Sequence, residues 1–171
     1  LPQDGRAILD IDGQSLALRW FIDRAERVEE FTLADTDSDG VSEVWGATEP
    51  WSTSPPDYSG LTVYDVATQT AEWALATANG PFAAVEVGDV DGDGVLELVA
   101  ASFRSNFSNS DGIVFCWDAR THHLEWRTTP TSLPGLSGYQ YGLFDLALGD
   151  VDGDTEAEVV GVTGVYPTVG Q

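Results

Sequence analysis

Asp89-Val-Asp91-Gly-Asp93-Gly94-Val95-Leu-Glu97 lies between two apolar segments, and the chain writes the same loop twice more. The other copies are Asp35-Thr-Asp37-Ser-Asp39-Gly40-Val41-Ser-Glu43 and Asp150-Val-Asp152-Gly-Asp154-Thr155-Glu156-Ala-Glu158. Carboxylates at positions 1, 3, 5 and 9 of so short a loop repel one another unless a hard cation sits among them. All-oxygen donors in a flexible loop suit Ca²⁺ better than Zn²⁺ or a redox metal. The expected ligands are therefore Asp35, Asp37, Asp39 and Glu43, then Asp89, Asp91, Asp93 and Glu97, then Asp150, Asp152, Asp154 and Glu158. The backbone carbonyl at position 7 (Val41, Val95 and Glu156) is expected to complete each ring, giving about three Ca²⁺ per chain. An acidic turn without metal is the plainer alternative, since Asp and Gly favour turns in any case. Three copies at matched positions weigh against it.

An EF-hand shares Asp at positions 1, 3 and 5 but needs a bidentate Glu at 12 and a helix on each side. Position 12 here is Gly46, Ala100 and Gly161, which excludes that motif. The flanks alternate with period two, as in Phe144-Asp-Leu146-Ala-Leu148, so the loops are expected to join β-strands. Gly40 and Gly94 suit a backbone of positive φ at position 6, whereas Thr155 would be strained there. The third site is expected to be the weakest.

A second repeat alternates with the first. Asp12-Gly-Gln-Ser-Leu-Ala-Leu-Arg-Trp20, Asp65-Val-Ala-Thr-Gln-Thr-Ala-Glu-Trp73 and Asp118-Ala-Arg-Thr-His-His-Leu-Glu-Trp126 recur every 53 residues, each after an apolar β-rich run. Each full unit reads as a strand, the acidic loop, a second strand, a variable loop, a third strand, a tight turn and a fourth strand ending in Trp. A four-stranded unit of about 40–50 residues has the size of a propeller blade. The recurring Trp is read as a packing residue between neighbouring units.

The loop-bearing halves, clearest at residues 85–101 and 146–162, resemble FG-GAP or VCBS repeats, the calcium-loop blades of integrin α-chain propellers and of many secreted microbial proteins. The Trp-bearing halves, such as residues 112–126, resemble the strand pairs of quinoprotein-type propellers. Together the two resemblances cover nearly the whole chain. They imply an all-β fold of β-propeller-type four-stranded blades with Ca²⁺ between the first two strands of each. They imply no catalytic residue, and such repeats serve adhesion, scaffolding and substrate presentation alike.

Composition sets limits on the partners. The chain carries 29 Asp and Glu against seven Arg and no Lys, for a formal charge of −22. Three bound Ca²⁺ would move that only from −22 to −16, so metal binding does not account for the acidity. An acidic, Lys-free surface suits high salt, where self-repulsion is screened; a GC-rich genome would also replace Lys with Arg. Either way nucleic acid and anionic membrane are poor partners. Calcium loops without a switching helix suit extracellular calcium, and Asn106-Phe-Ser108 is a glycosylation sequon in a variable loop. The single Cys116 is expected to be an inert core thiol, and no signal peptide or membrane span is visible.

No catalytic set is found. His122 and His123 are expected in a solvated turn, and nothing brings Glu29-Glu30 together with another acid in a cleft. Trp51, Tyr58, Phe103 and Phe107 in the variable loops could stack on a glycan or meet a protein. The units fall as a half blade (1–28), two blades (29–79 and 80–128) and a half blade (129–171), three blade-equivalents in permuted phase. Propellers close with about four to eight blades, so either the chain is a piece of a longer propeller or neighbouring copies complete one another; the matching half blades favour the second, and homo-oligomerisation through the N- and C-terminal half blades is expected. The expected function is a secreted, non-enzymatic calcium-binding repeat protein with a structural or adhesive surface role, forming a ring or filament. The alternative is a carbohydrate-binding or propeller module of an extracellular polysaccharide-processing enzyme.

Overall fold

Strands form along the apolar, β-branched runs, and the breaks fall on turns rich in Asp, Gly and Thr. The computed structural model describes residues 7–23, 27–49, 59–77, 82–102, 112–128 and 139–167. All regular structure among them is β: β1 (Ala7–Ile11), β2 (Leu18–Asp23), β3 (Arg27–Ala34), β4 (Glu43–Glu49), β5 (Ser59–Asp65), β6 (Thr70–Thr77), β7 (Phe82–Gly88), β8 (Glu97–Ser102), β9 (Val114–Asp118), β10 (Leu124–Arg127), β11 (Tyr139–Gly149) and β12 (Glu158–Pro167). They build four antiparallel sheets. A β1–β2 hairpin and a β11–β12 hairpin flank two four-stranded sheets, ordered β3-β4-β5-β6 and β7-β8-β9-β10. Every sheet is open, and no strand joins the first hairpin to the last among the described residues.

The two full sheets are built to one register. Val44 lies opposite Tyr64 and Ala47 opposite Leu61 in the first; Leu98 lies opposite Trp117 and Ala101 opposite Val114 in the second. These are the same loop-counted and turn-counted positions, so the sequence repeat is also a repeat of strand pairing. The recurring Trp residues do not end their strands, contrary to expectation. Trp20 and Trp73 sit inside β2 and β6, opposite Asp10 and Val63, and Trp126 sits opposite Cys116.

Burial follows from stacking the sheets in chain order. Trp45, Ala47, Leu61 and Val63 of the first sheet pack against Phe82, Val85, Leu98, Phe115 and Trp117 of the second. Ala84, Val99, Ala101 and Cys116, on the opposite face of the second sheet, pack against Leu143 and Leu146 of β11. Ile8 and Ile22 of the first hairpin cover Val44 and Tyr64. With a neighbour on each face, β8 is buried along its whole length, and each fully buried large apolar side chain stabilises the stack by about 1.5–3 kcal/mol. Cys116 is fully buried, and burial pushes its thiol up to about 12, as an inert core thiol requires.

Three tight turns between paired strands share one construction. The Asp12, Asp65 and Asp118 Oδ1 atoms each accept the backbone N–H groups two and three residues ahead. The fifth residue of each turn, Leu16, Gln69 and His122, takes a φ of 58°, 58° and 60° and donates its N–H to the carbonyl of that Asp. The Thr68 hydroxyl, ahead of the Thr68 and Ala67 amides, holds Asp65 below the usual carboxylate range, and the Thr121 amide leads the same effect at Asp118. The expected packing role holds for Trp73, whose ring stacks on His122 of the next sheet at 4.2 Å. His122 is therefore not simply solvated: it is half-buried between sheets, and burial lowers its pKa. His123 is exposed as expected, whereas Trp126, on the outer strand β10, is 38% exposed.

Candidate metal centres

Each acidic loop leaves the first strand of a pair (β3, β7 or β11) and enters the second (β4, β8 or β12), so strands flank it on both sides. Position 12 falls inside the second strand, which accounts for the absence of an EF-hand glutamate there. The loops fold on their own side chains. The first Asp accepts an N–H from position 4 or 5 with one oxygen and the position 6 N–H with the other, at 2.9, 3.0 and 2.9 Å for Gly40, Gly94 and Thr155. The third-position Asp accepts the N–H of position 5, and the fifth-position Asp accepts the N–H of position 7, from Val41, Val95 and Glu156. Such bonds satisfy the turn backbone and point the carboxylates inward.

The expected sites are brought together, with one difference between loops. Asp35, Asp37, Asp39 and Glu43 each offer an oxygen, all within 4.8 Å of one another; so do Asp89, Asp91 and Glu97, and so do Asp150, Asp152 and Glu158. Ligands on opposite sides of an ion bound at about 2.4 Å stand about 4.8 Å apart, so the groups are compact enough to hold a metal ion. Asp93 and Asp154 fall outside their groups. Their bonds to the position 7 amide do not explain this, because Asp39 makes the same bond and still belongs to its group. At Val41, Val95 and Glu156 the amide is engaged with position 5, while the carbonyl is the atom expected to face an ion.

The position 9 glutamates have a structural duty that sequence reasoning missed. Glu43, Glu97 and Glu158 each accept the N–H of the loop's second residue through Oε2, at 2.8, 2.7 and 2.8 Å. One oxygen thus ties the loop to the following strand. Glu43 and Glu97 are buried, and burial pushes Glu97 above the usual carboxylate range, opposed by its bond to the Val90 amide and reinforced by Asp91. The exposed Asp150 is held below that range, chiefly by the Gly153 and Thr155 amides.

Backbone geometry meets the expectation at position 6 and adds a second demand. Gly40, Gly94 and Thr155 have φ of 90°, 87° and 79°, so Thr155 does occupy the left-handed region. Position 4 does so as well: Ser38, Gly92 and Gly153 have φ of 66°, 77° and 87°. The Gly92 and Gly153 letters carried that signal in the sequence. Only the second loop has Gly at both positions.

A further carboxylate group lies where three sheets meet. Glu30 of β3 accepts the N–H of Val85 in β7 at 3.2 Å, and Thr32 Oγ1 donates to Glu86 at 3.4 Å. Both glutamates are pushed above their usual range, first by burial and then by charges including Asp145 of β11. Sequence reading singled out Glu30 only as part of an adjacent pair, because the partners come from distant strands. The aromatic residues Trp51, Tyr58, Phe103 and Phe107 and the Asn106 sequon lie outside the described residues.

No protein-family model matches the chain, and no curated protein sequence matches it significantly. The fold and loops define an all-β repeat protein whose acidic clusters can hold metal ions.

Proposed function

We propose that the chain is a calcium-binding protein of β-propeller-type blades, each of the two full sheets being one blade and each hairpin half of one. Its role is structural or adhesive, outside the cell, and not catalytic. The observation that carries this reading is the recurrence, at equivalent places in three sheets, of clustered carboxylate oxygens within 4.8 Å. Oxygen-only donors favour a hard ion over zinc or a redox metal, and a flexible loop favours Ca²⁺ over the smaller and stricter Mg²⁺. Shared register and chain-order stacking support the blade reading, since blades of a propeller repeat one pairing scheme around an axis. The net charge of −22 suits a medium rich in salt or divalent ions, where carboxylate repulsion is neutralised or screened.

The test is titration of the chelator-treated protein with Ca²⁺ and separately with Mg²⁺, followed by calorimetric binding and thermal melting. The reading expects about three Ca²⁺ per chain and a higher melting temperature in Ca²⁺ than in chelator. Equal melting in both, at low salt, would refute it.

A further inference from the structure

The two hairpins are halves of the same sheet, and we propose that the β11–β12 hairpin of one chain and the β1–β2 hairpin of a second copy join edge to edge into one four-stranded sheet. This deepens the structural role above and rests on the sheet repeat, not on the metal. Counting from the acidic loops, β11–β12 corresponds to β3–β4 and β7–β8; counting from the Asp turns, β1–β2 corresponds to β5–β6 and β9–β10. In both complete sheets the second strand pairs with the third, and in both the register is the same. Transferred to the hairpins, that register places Val159 opposite Ile11, Val160 opposite Asp10, Gly161 opposite Leu9, Val162 opposite Ile8 and Thr163 opposite Ala7. Within one chain the two hairpins lie on opposite ends of the stack, and among the described residues β12 does not pair with β1.

Side-chain exposure gives an independent reason, because it identifies which faces are open among the described residues. Leu9 and Ile11 are 54% and 53% exposed, yet their counterparts Phe115 and Trp117 are buried against the preceding sheet. On the other hairpin Val160 and Val162 are 46% and 59% exposed, although Trp45 and Ala47, and likewise Val99 and Ala101, are buried there against the following sheet. Phe31 and Leu33 on β3 are 54% and 59% exposed, while the counterpart Val85 is buried by the sheet before it. The exposed sets complement one another. In the joined sheet Val160 and Val162 of the first copy cover Phe31 and Leu33 of the second, as Trp45 and Ala47 cover Val85. The turn residue Leu16 of the second copy meets Trp126 of the first, as His122 meets Trp73.

One contact therefore satisfies two strand edges and three apolar patches with surfaces this chain already carries. Because it joins two different surfaces of a protomer, it propagates to a closed ring or an open filament. The charge of −22 on each copy opposes the contact, so association strengthens with salt, the reverse of an interface held by ion pairs.

The experiment uses the 171-residue chain in molar salt, with calcium and with chelator, by light scattering and sedimentation. Two variants each block one surface: Leu9→Lys with Ile11→Lys, and Val160→Lys with Val162→Lys. All four positions are exposed, so neither variant disturbs the described core. The wild type should gain mass with concentration, while each variant alone stays at 18.3 kDa. An equimolar mixture should form a dimer and stop there, because each variant keeps the surface the other needs. Its association should be about 100-fold tighter than either variant's self-association. The dimer in the mixture also shows that both variants are folded. A wild type that stays monomeric to high micromolar concentration, or a mixture that forms no dimer, overturns the proposal. A dimer whose melting ignores chelator supports it while refuting the calcium reading. Calcium-shifted melting with a monomeric wild type does the opposite.

Discussion

The second and third acidic loops carry the same carboxylates at positions 1, 3, 5 and 9, yet they stand in different surroundings. Around the second, Gly92 and Gly94 take the two left-handed positions and Glu97 is buried at the start of a strand covered on both faces. Around the third, Thr155 takes one of those positions, and β12 leaves Val160 and Val162 exposed. The lesson is that a ligand pattern states which atoms are on offer, while backbone strain and the cover over the following strand set how firmly they are held. The first loop lies between these two, with Ser38 in the left-handed region but Glu43 buried.

The largest effect should come from removing calcium. At free Ca²⁺ about 100-fold above the dissociation constant each filled site contributes about 2.7 kcal/mol, which for a chain of this size is a melting shift of about 5–10 °C per site. Asp91→Ala should remove more of that shift than Asp152→Ala. Calorimetry that finds the third site the tightest would reverse the comparison. Next in size is the position 9 glutamate. Glu97→Ala removes a buried acceptor and orphans the Val90 amide, a loss of about 1–3 kcal/mol, whereas Glu158→Ala, at a partly exposed position, should cost less than half as much. Equal losses in urea unfolding would show that cover over the strand is irrelevant.

The backbone difference is open to a reciprocal exchange. Thr155→Gly should stabilise the chain and Gly94→Thr should destabilise it, each by about 1–2 kcal/mol. A Cβ at Gly94 would meet nothing within 4 Å, so the loss there reflects backbone conformation and not a clash at Cβ. If the exchange leaves both melting temperatures unmoved, Thr155 is not the weak point of its loop. The smallest effect concerns pH in calcium-free protein. Glu97 is raised by burial, so the folded state holds its proton where the unfolded chain has lost it, and stability falls as pH rises from the ordinary Glu value through the raised one. Asp150 is lowered by backbone amides, so its contribution is present above the ordinary Asp value and is lost as pH falls through the lowered one. Glu97→Gln should flatten the first slope and Asp150→Asn the second; a variant that changes the other's limb would show that the two loops are coupled.

Much of this was legible in the letters because the determinants are local. Three loops of alternating Asp, strands on both sides of them, the need for positive φ at position 6 and the exclusion of an EF-hand all follow from residues within a few positions of one another. Repetition made the strand order readable too, since the same order occurs in both complete units. What stayed hidden needed residues far apart. That Glu30 meets Glu86 and Asp145 depends on three strands converging, and that His122 stacks on Trp73 depends on one sheet lying over the next. The same holds for the apolar positions. Phe115 and Leu9 occupy equivalent places in their repeats, and the sequence alone marks both as strand residues. Only the stacking decides that Phe115 is covered and Leu9 is open, because burial is a property of the neighbouring sheet and no strand carries its own cover.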